Sequence, residues 1–203
     1  MLSAIDKMNL VKAASTELAQ ASSAKRAQVL HNIAALLIER TDEIIAANNK
    51  DIERGQAAEM TLSTQDRIRL DAKRIRAISE SVSKITTLPD PIGDVIRGMT
   101  LPNGLKLTQV RVPLGVIGVI YEARPNVTID IAVLAIKSGN AVVLRGGRDA
   151  QSSNEVLVKL LQDALAMASI NSDAVHTLDE FGREGGQEMM KACLLYTSDA
   201  ADE

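Results

Sequence analysis

Two short apolar runs with a helix-like segment between them constrain the fold of this chain more than any other feature. The runs cover residues 116–120 and 141–144, and their valines and isoleucines do not alternate with polar residues. Uninterrupted runs of this kind are typical of strands that are covered on both faces, as in a parallel sheet. Because the segment between them has helical spacing, the three elements predict a right-handed βαβ unit.

A polar loop follows each predicted strand at its carboxyl end. Residues 122–126 follow the first strand and residues 145–148 follow the second, and both loops contain arginine. In open α/β sheets, ligands bind just outside these ends. Arginine suits phosphate or carboxylate, and the adjacent Gly146 and Gly147 let a backbone approach a ligand closely. The pattern indicates nucleotide or anion binding, with an ordinary turn that carries solvated arginines as the alternative.

Capping signals predict where several helices begin and end. Asn126 is placed as the N-cap of the helix between the two strands, with Lys137 in its last turn and Gly139 at the left-handed position beyond it. Residues 63–66 and 152–155 each resemble a capping box, which predicts that a helix begins at each of them.

The rest of the chain divides at changes in its pattern. Residues 1–88 have the spacing of successive amphipathic helices. Residues 89–112 contain an Asn-Gly turn between two extendable segments, which is a hairpin signal, and the mixed faces of the second segment suit an exposed ribbon or a subunit contact. Residues 113–192 hold the βαβ unit, a further helix and a short third strand at 174–178. We therefore predict an α/β fold with a partial parallel sheet.

Composition excludes several classes of function. The chain of 203 residues has a net charge of −3, one Phe, two Tyr and no Trp, so neither base stacking nor a basic nucleic-acid footprint is expected. No apolar run approaches the roughly 18–20 residues of a membrane span. The lone cysteine, Cys193, fits a reducing compartment, and His31 and His176 lack partners at metal-ligand spacing. We expect a cytoplasmic protein without metal, membrane or nucleic-acid binding.

The last residues break the pattern. Residues 193–203 neither continue the preceding helix nor form a recognisable strand-loop-helix unit. We expect them to be a non-native tail, such as read-through of a sequencing adapter or a frameshift. Since a sheet of three parallel strands is also incomplete for a nucleotide-binding domain, the sequence predicts a truncated chain.

Two stretches of the βαβ unit carry a family resemblance. Residues 113–128 read PLGVIGVIYEARPNVT, and residues 137–147 read KSGNAVVLRGG. Both closely resemble the γ-glutamyl phosphate reductase family, a branch of the aldehyde dehydrogenase superfamily. The YEARPN run is specific to this branch, whereas GNAVVL followed by a basic residue is shared across the superfamily. The resemblance extends from the N-terminal helices to about Ala192, roughly the first half of a full-length member.

This resemblance implies a reaction, the NADPH-dependent reduction of L-glutamyl 5-phosphate to glutamate 5-semialdehyde and phosphate in proline biosynthesis. In the family, a cysteine thiolate displaces phosphate to give a thioester, and hydride from the nicotinamide reduces it. The nucleophile lies in a downstream motif that this sequence lacks, and Cys193 has no activating neighbour in sequence, so the chain alone is expected to be inactive. The alternatives are another superfamily member that acts on a free aldehyde and a non-enzymatic nucleotide-binding module.

The resemblance also implies roles at the two loops. Asn126 matches the asparagine whose side-chain amide helps to hold the developing oxyanion, with a simple N-cap as the competing interpretation. Arg145 matches the basic residue that reaches the adenosine ribose or its 2′-phosphate in NADP(H), and Gly146 and Gly147 shape its loop.

The loop after the first strand matches the segment that lines the nicotinamide side of the cleft. It comprises Tyr121, Glu122, Ala123, Arg124 and Pro125. A surface ion pair between Glu122 and Arg124 is the alternative interpretation of those two residues.

The family likeness gives each segment a place in a larger protein. The resemblance implies that residues 1–88 form the helical part of the cofactor domain. Residues 89–112 would form an oligomerisation arm, and residues 113–192 would form a partial NADP-binding, Rossmann-like domain. The implied partners are a small-molecule substrate, glutamyl 5-phosphate, and further copies of the same chain in a full-length homo-oligomer.

Overall fold

Helices and two small sheets form the computed structural model, which describes residues 2–192. The five N-terminal helices are α1 (Ala4–Gln20), α2 (Ser23–Glu39), α3 (Thr41–Ala57), α4 (Leu62–Ile68) and α5 (Ala72–Thr86). The hairpin consists of β1 (Val95–Thr100) and β2 (Lys106–Val110). The remaining elements are β3 (Val116–Ile120), α6 (Pro125–Lys137), β4 (Ala141–Arg145), α7 (Gln151–Met167), β5 (Val175–Thr177) and α8 (Gly182–Lys191).

The predicted parallel sheet is present. Its strand order is β3-β4-β5, both pairings are parallel, and β4 lies in the centre. Helices α1, α6 and α7 pack on it, and residues 141–144 are all buried. A central strand that is covered on both faces has no exposed positions for polar side chains, which explains the unbroken apolar run. The expected α/β fold is confirmed.

The hairpin is also confirmed. Strands β1 and β2 pair antiparallel, and every residue of both strands is exposed. The turn between them contains Gly104 at a positive φ of 85°, a conformation that favours glycine. The two strands therefore form a ribbon that stands away from the hydrophobic core of the described residues.

One hydrophobic core joins the N-terminal helices to the sheet. Helix α2 packs against α5, α6 and α7, and α3 packs against α7. Buried side chains of this shared core include Leu30, Ile33, Ile75, Ile136 and Leu161. The helices before residue 88 thus form an outer layer over α6 and α7, and the segment boundaries at residues 88 and 112 stay predictions.

Two capping predictions are wrong because the helices begin earlier than expected. Helix α4 starts at Leu62, and the Thr61 hydroxyl accepts the Thr64 N–H at 3.3 Å, so residues 63–66 lie inside the helix. Helix α7 starts at Gln151, and no side chain of residues 152–155 caps it.

Asn126 is not the N-cap of α6, which is a further correction. Arg124 occupies that position, and Pro125 is the first helical residue. Proline favours the first turn because its missing N–H is not needed there and its φ is already helical. The predicted end of the helix is confirmed, with Lys137 in the last turn and Gly139 at a φ of 74°.

The predicted non-native tail, residues 193–203 with Cys193, lies outside the described residues. Among the described residues, no helix has both the length and the apolar character needed to span a membrane.

Candidate functional site

The two predicted loops leave the sheet at the same edge. Ile120 of β3 pairs with Arg145 of β4 in the parallel register, and the Tyr121 N–H donates to the Arg145 carbonyl at 3.0 Å. Ile120 and Arg145 are the last residues of β3 and β4, and Tyr121 directly follows Ile120. The loop that leads to Asn126 and the loop that follows Arg145 therefore begin side by side. We call this region the carboxyl edge.

The Tyr121 side chain is half-buried and reaches α6. Its hydroxyl lies 2.7 Å from the Thr128 hydroxyl on α6. Burial of the ring, with a smaller contribution from the negative charge of Asp179, raises the pKa of the Tyr121 hydroxyl above its ordinary value. Tyr121 is therefore a neutral hydrogen-bonding group at physiological pH.

Glu122 lies opposite α4 and not opposite Arg124. Its carboxylate is 3.6 Å from the Arg67 guanidinium, and within the described residues no ion pair joins Glu122 to Arg124. A cavity of 260 Å³ lies between α4 and the two loops, lined by Thr64, Arg67, Glu122, Ala123, Gly147 and Asp149. Helix α4 is thus a neighbour of the site that the sequence did not indicate, because no local pattern reports this long-range contact.

Asn126 is the second residue of α6, and its amide is oriented by the same helix. The Asn126 Nδ2 atom donates to the Asp130 carboxylate at 3.3 Å. Burial raises the pKa of the Asp130 carboxyl above its usual value of 3.8, and the hydrogen bond from Asn126 partly offsets this shift. The amide nitrogen carries two protons, and this hydrogen bond uses only one of them.

Arg145 is half-buried, and its Nε donates to the Gly182 carbonyl at the start of α8, at 3.1 Å. Arg124 and Arg148 are exposed, and neither forms an ion pair within the described residues. Three arginines at one edge fit a ligand that carries phosphate groups, because guanidinium groups donate several hydrogen bonds to phosphate oxygens.

The two glycines after β4 are required by contacts within the protein. A Cβ on Gly147 would lie 2.6 Å from the backbone nitrogen of Ala123, and a Cβ on Gly146 would lie 3.1 Å from the Tyr121 hydroxyl and collide with Asn154. The glycines let the two loops pack against each other. The expectation that the two glycines also let a ligand approach the backbone closely stays a prediction.

The described part of the chain contains no group of three His, Cys, Asp or Glu side chains that could hold a metal ion. His176 instead contacts Asp173 at 2.9 Å.

Comparisons with known proteins identify the family. The model of the aldehyde dehydrogenase family matches residues 4–194. A protein from Kineococcus radiotolerans named gamma-glutamyl phosphate reductase is 51% identical over 181 residues, which is 89% of this chain and 42% of that protein. A protein of the same name from Leifsonia xyli is 49% identical over 187 residues, 92% of this chain and 44% of that protein. The chain spans less than half the length of these relatives.

Solved structures agree with the sequence comparisons. The crystal structure of gamma-glutamyl phosphate reductase from Thermotoga maritima has a TM-score of 0.89 at 36% identity and covers 92% of this chain and 45% of that one. The corresponding structure from Saccharomyces cerevisiae has a TM-score of 0.81 at 27% identity and covers 88% of this chain and 47% of that one. These findings confirm the resemblance carried by the YEARPN and GNAVVL runs, and the chain belongs to the aldehyde dehydrogenase family.

Proposed function

We propose that this chain supplies the cofactor-binding part of an enzyme that reduces L-glutamyl 5-phosphate to L-glutamate 5-semialdehyde and phosphate with NADPH. This reaction belongs to proline biosynthesis, which we place in the cytoplasm. The observation that carries the proposal is the 51% identity over 181 residues to a protein named gamma-glutamyl phosphate reductase. The matched stretch covers 89% of this chain and supports the same reaction for the protein to which it belongs.

The arginines and the loop geometry support NADP(H) as the cofactor. We assign the adenosine end, with its 2′-phosphate, to Arg145 and the glycines Gly146 and Gly147, and the nicotinamide end to the loop of residues 121–125. Arg148 is exposed and follows Arg145 by three residues, and a second guanidinium in this loop favours a phosphate over a hydroxyl at the ribose. When bound, NADPH supplies the hydride for the reduction.

Asn126 is assigned to the oxyanion. Asp130 accepts one amide proton of Asn126 and so fixes which way the amide faces. The second proton is left to donate to an oxygen that gains negative charge during the reaction. A donor that is held in place before the reaction stabilises that charge without reorganisation.

The chain alone is proposed to be inactive. Its only cysteine is Cys193, in the segment expected to be a non-native tail. Acyl transfer in this family implies a cysteine nucleophile. We therefore expect this chain to bind NADPH without catalysing the reaction.

The hairpin is proposed to contact a second copy of the full-length protein. Met99 of β1 and Leu107 of β2 are directly opposite each other, and both are exposed. Exposed apolar pairs on a ribbon are typical of surfaces that are covered in an assembly. We propose a homo-oligomer and a small-molecule substrate, and no nucleic-acid partner.

A chimera tests the proposed reaction. Residues 4–192 of this chain would replace the matching segment of the Kineococcus radiotolerans relative, and the assay would follow NADP reduction by glutamate 5-semialdehyde. We expect a reduction rate that depends on added phosphate, since phosphate is consumed when the acyl phosphate forms. Aldehyde oxidation that needs no phosphate would support an aldehyde dehydrogenase acting on a free aldehyde, and tight NADPH binding by a chain whose chimera is inactive would support a binding module.

A further inference from the structure

A hydrogen-bonded chain of four side chains runs beneath the carboxyl edge. Tyr121 contacts Thr128 at 2.7 Å between hydroxyl oxygens, and Thr128 donates to the Asn154 Oδ1 at 2.8 Å. The Asn154 Nδ2 then donates to the Asp179 Oδ2 at 2.8 Å. Thr128 and Asn154 are almost completely buried, and Asp179 is 9% exposed. The chain links α6, α7 and the segment after β5.

The protons of this chain all point towards Asp179. A carboxylate only accepts, so Asn154 must present its nitrogen to Asp179 and its oxygen to Thr128. Thr128 has a single hydroxyl proton, which goes to Asn154, so Tyr121 is the donor to Thr128. Reversal of any one link would place two donors or two acceptors against each other.

The second oxygen of Asp179 reaches the loop that follows β4. The Asp179 Oδ1 accepts the Gly146 N–H at 2.6 Å. Gly146 directly follows Arg145, and Tyr121 directly follows Ile120, so the one carboxylate connects the ends of β3, β4 and β5. Within the described residues it does so through neutral donors alone, because no cation pairs with Asp179.

We propose that Asp179 is a positioning residue for the cofactor loop, which it fixes by holding the Gly146 N–H while the chain through Asn154 holds Tyr121. This inference rests on the proposed function for the assignment of that loop to NADP(H). A carboxylate can accept from the Gly146 N–H and the Asn154 amide at the same time, and it carries no proton of its own that would need an acceptor. Loss of Asp179 therefore leaves two buried donors without an acceptor and frees the loop.

The test compares variants of the chain by two measurements, backbone hydrogen exchange of residues 145–150 and the dissociation constant for NADPH. In Asp179→Ala we expect faster exchange at Gly146 and NADPH binding weakened by about tenfold, which corresponds to about 1.4 kcal/mol. The matched control is Ser79→Ala, which removes a buried hydrogen bond from Ser79 on α5 to the Ala34 carbonyl on α2 and touches no member of the chain that leads to Asp179. The control should lower the melting temperature and leave the NADPH affinity unchanged.

A reciprocal exchange of the two side chains separates positioning from simple stabilisation. Asn154→Asp alone places two carboxylates in contact and should speed exchange at Gly146. The double variant with Asn154→Asp and Asp179→Asn restores every donor–acceptor pair, because the amide, now at position 179, accepts from Gly146 and donates to the carboxylate, now at position 154. We expect this double variant to recover slow exchange and most of the NADPH affinity. This comparison also decides the matter if Asp179→Ala does not fold.

Unchanged exchange at Gly146 in Asp179→Ala, or no recovery in the double variant, would overturn the positioning role. Faster exchange with unchanged NADPH affinity would overturn it as well. A parent chain that does not bind NADPH would refute the proposed cofactor site, while the exchange data would still show whether Asp179 anchors the loop.

Discussion

The carboxylate of Asp51 on α3 binds both the backbone N–H and the hydroxyl of Ser153 in the first turn of α7. The distances to Asp51 Oδ2 are 2.8 and 2.7 Å, and the other oxygen accepts the Ser152 N–H at 3.0 Å. The first N–H groups of a helix have no partner within the helix, and a negative charge there is favourable. Helix α3 therefore caps α7 from 101 residues away in the sequence.

This contact predicts the effect of Asp51→Ala. Asp51 is 1% exposed and Ser153 is fully buried, so the substitution leaves buried donors without an acceptor. We expect the free energy of unfolding to fall by about 3 kcal/mol in urea denaturation. The control Asp42→Asn changes an exposed carboxylate on the same helix and should cost about 0.5 kcal/mol. Equal effects of the two substitutions would contradict the capping role.

The raised pKa of Asp130 predicts how stability depends on pH. Burial makes the folded state hold the Asp130 proton more tightly than the unfolded state, whose pKa is about 3.8. The stability that this protonation provides is therefore complete below pH 3.8 and is lost as the pH rises through the folded-state pKa. Asp130→Asn should exceed the parent in unfolding free energy at pH 7, and the difference should vanish near pH 3.

Asp163 provides a control of opposite sign. A hydrogen bond from Lys159, opposed by partial burial and assisted by Arg40, holds the pKa of the Asp163 carboxyl below its usual value. Ionised Asp163 stabilises the folded state above pH 3.8, so Asp163→Asn should lower stability at pH 7 and not at low pH. If both substitutions shifted stability in the same direction at pH 7, the two environments would be misassigned.

The oxyanion assignment predicts a kinetic effect of Asn126→Ala in the chimera. Removal of one donor to a developing oxyanion lowers kcat by roughly 100-fold, and we expect that loss with little change in NADPH affinity. A proportional loss of NADPH affinity with kcat preserved would instead place Asn126 in cofactor binding.

The exposed hairpin predicts self-association. Leu107→Lys places a charge opposite Met99. We expect it to lower the self-association constant of the full-length chimera in sedimentation experiments, because an apolar contact is replaced by a charge that must lose water. The melting temperature should change little because neither strand is part of the core. Association that is unaffected by this substitution would remove the hairpin from the interface.

Sequence reasoning predicted the elements whose signals are local. The βαβ unit follows from the unbroken apolar runs around a helical segment, and the hairpin follows from Asn103-Gly104. Each of these signals lies within a single strand, helix or turn, which is the range over which side-chain period and turn conformation act.

The failures have physical causes outside that range. Residues 152–155 look like a self-contained capping box, but the acceptor for this helix comes from Asp51 on α3. Glu122 contacts Arg67 on α4, which no pattern near Glu122 could reveal. Asn126 differs, because Pro125 before it was a local signal for the true helix start.

Backbone hydrogen exchange of the chain with and without NADPH is the sharpest test of whether the carboxyl edge of β3 and β4 binds NADP(H). We expect slower exchange at residues 121–126 and 145–149 and no change in the hairpin, residues 95–110. Exchange that stays the same at both loops under millimolar NADPH, or that slows only in the hairpin, would contradict NADP(H) binding at this edge.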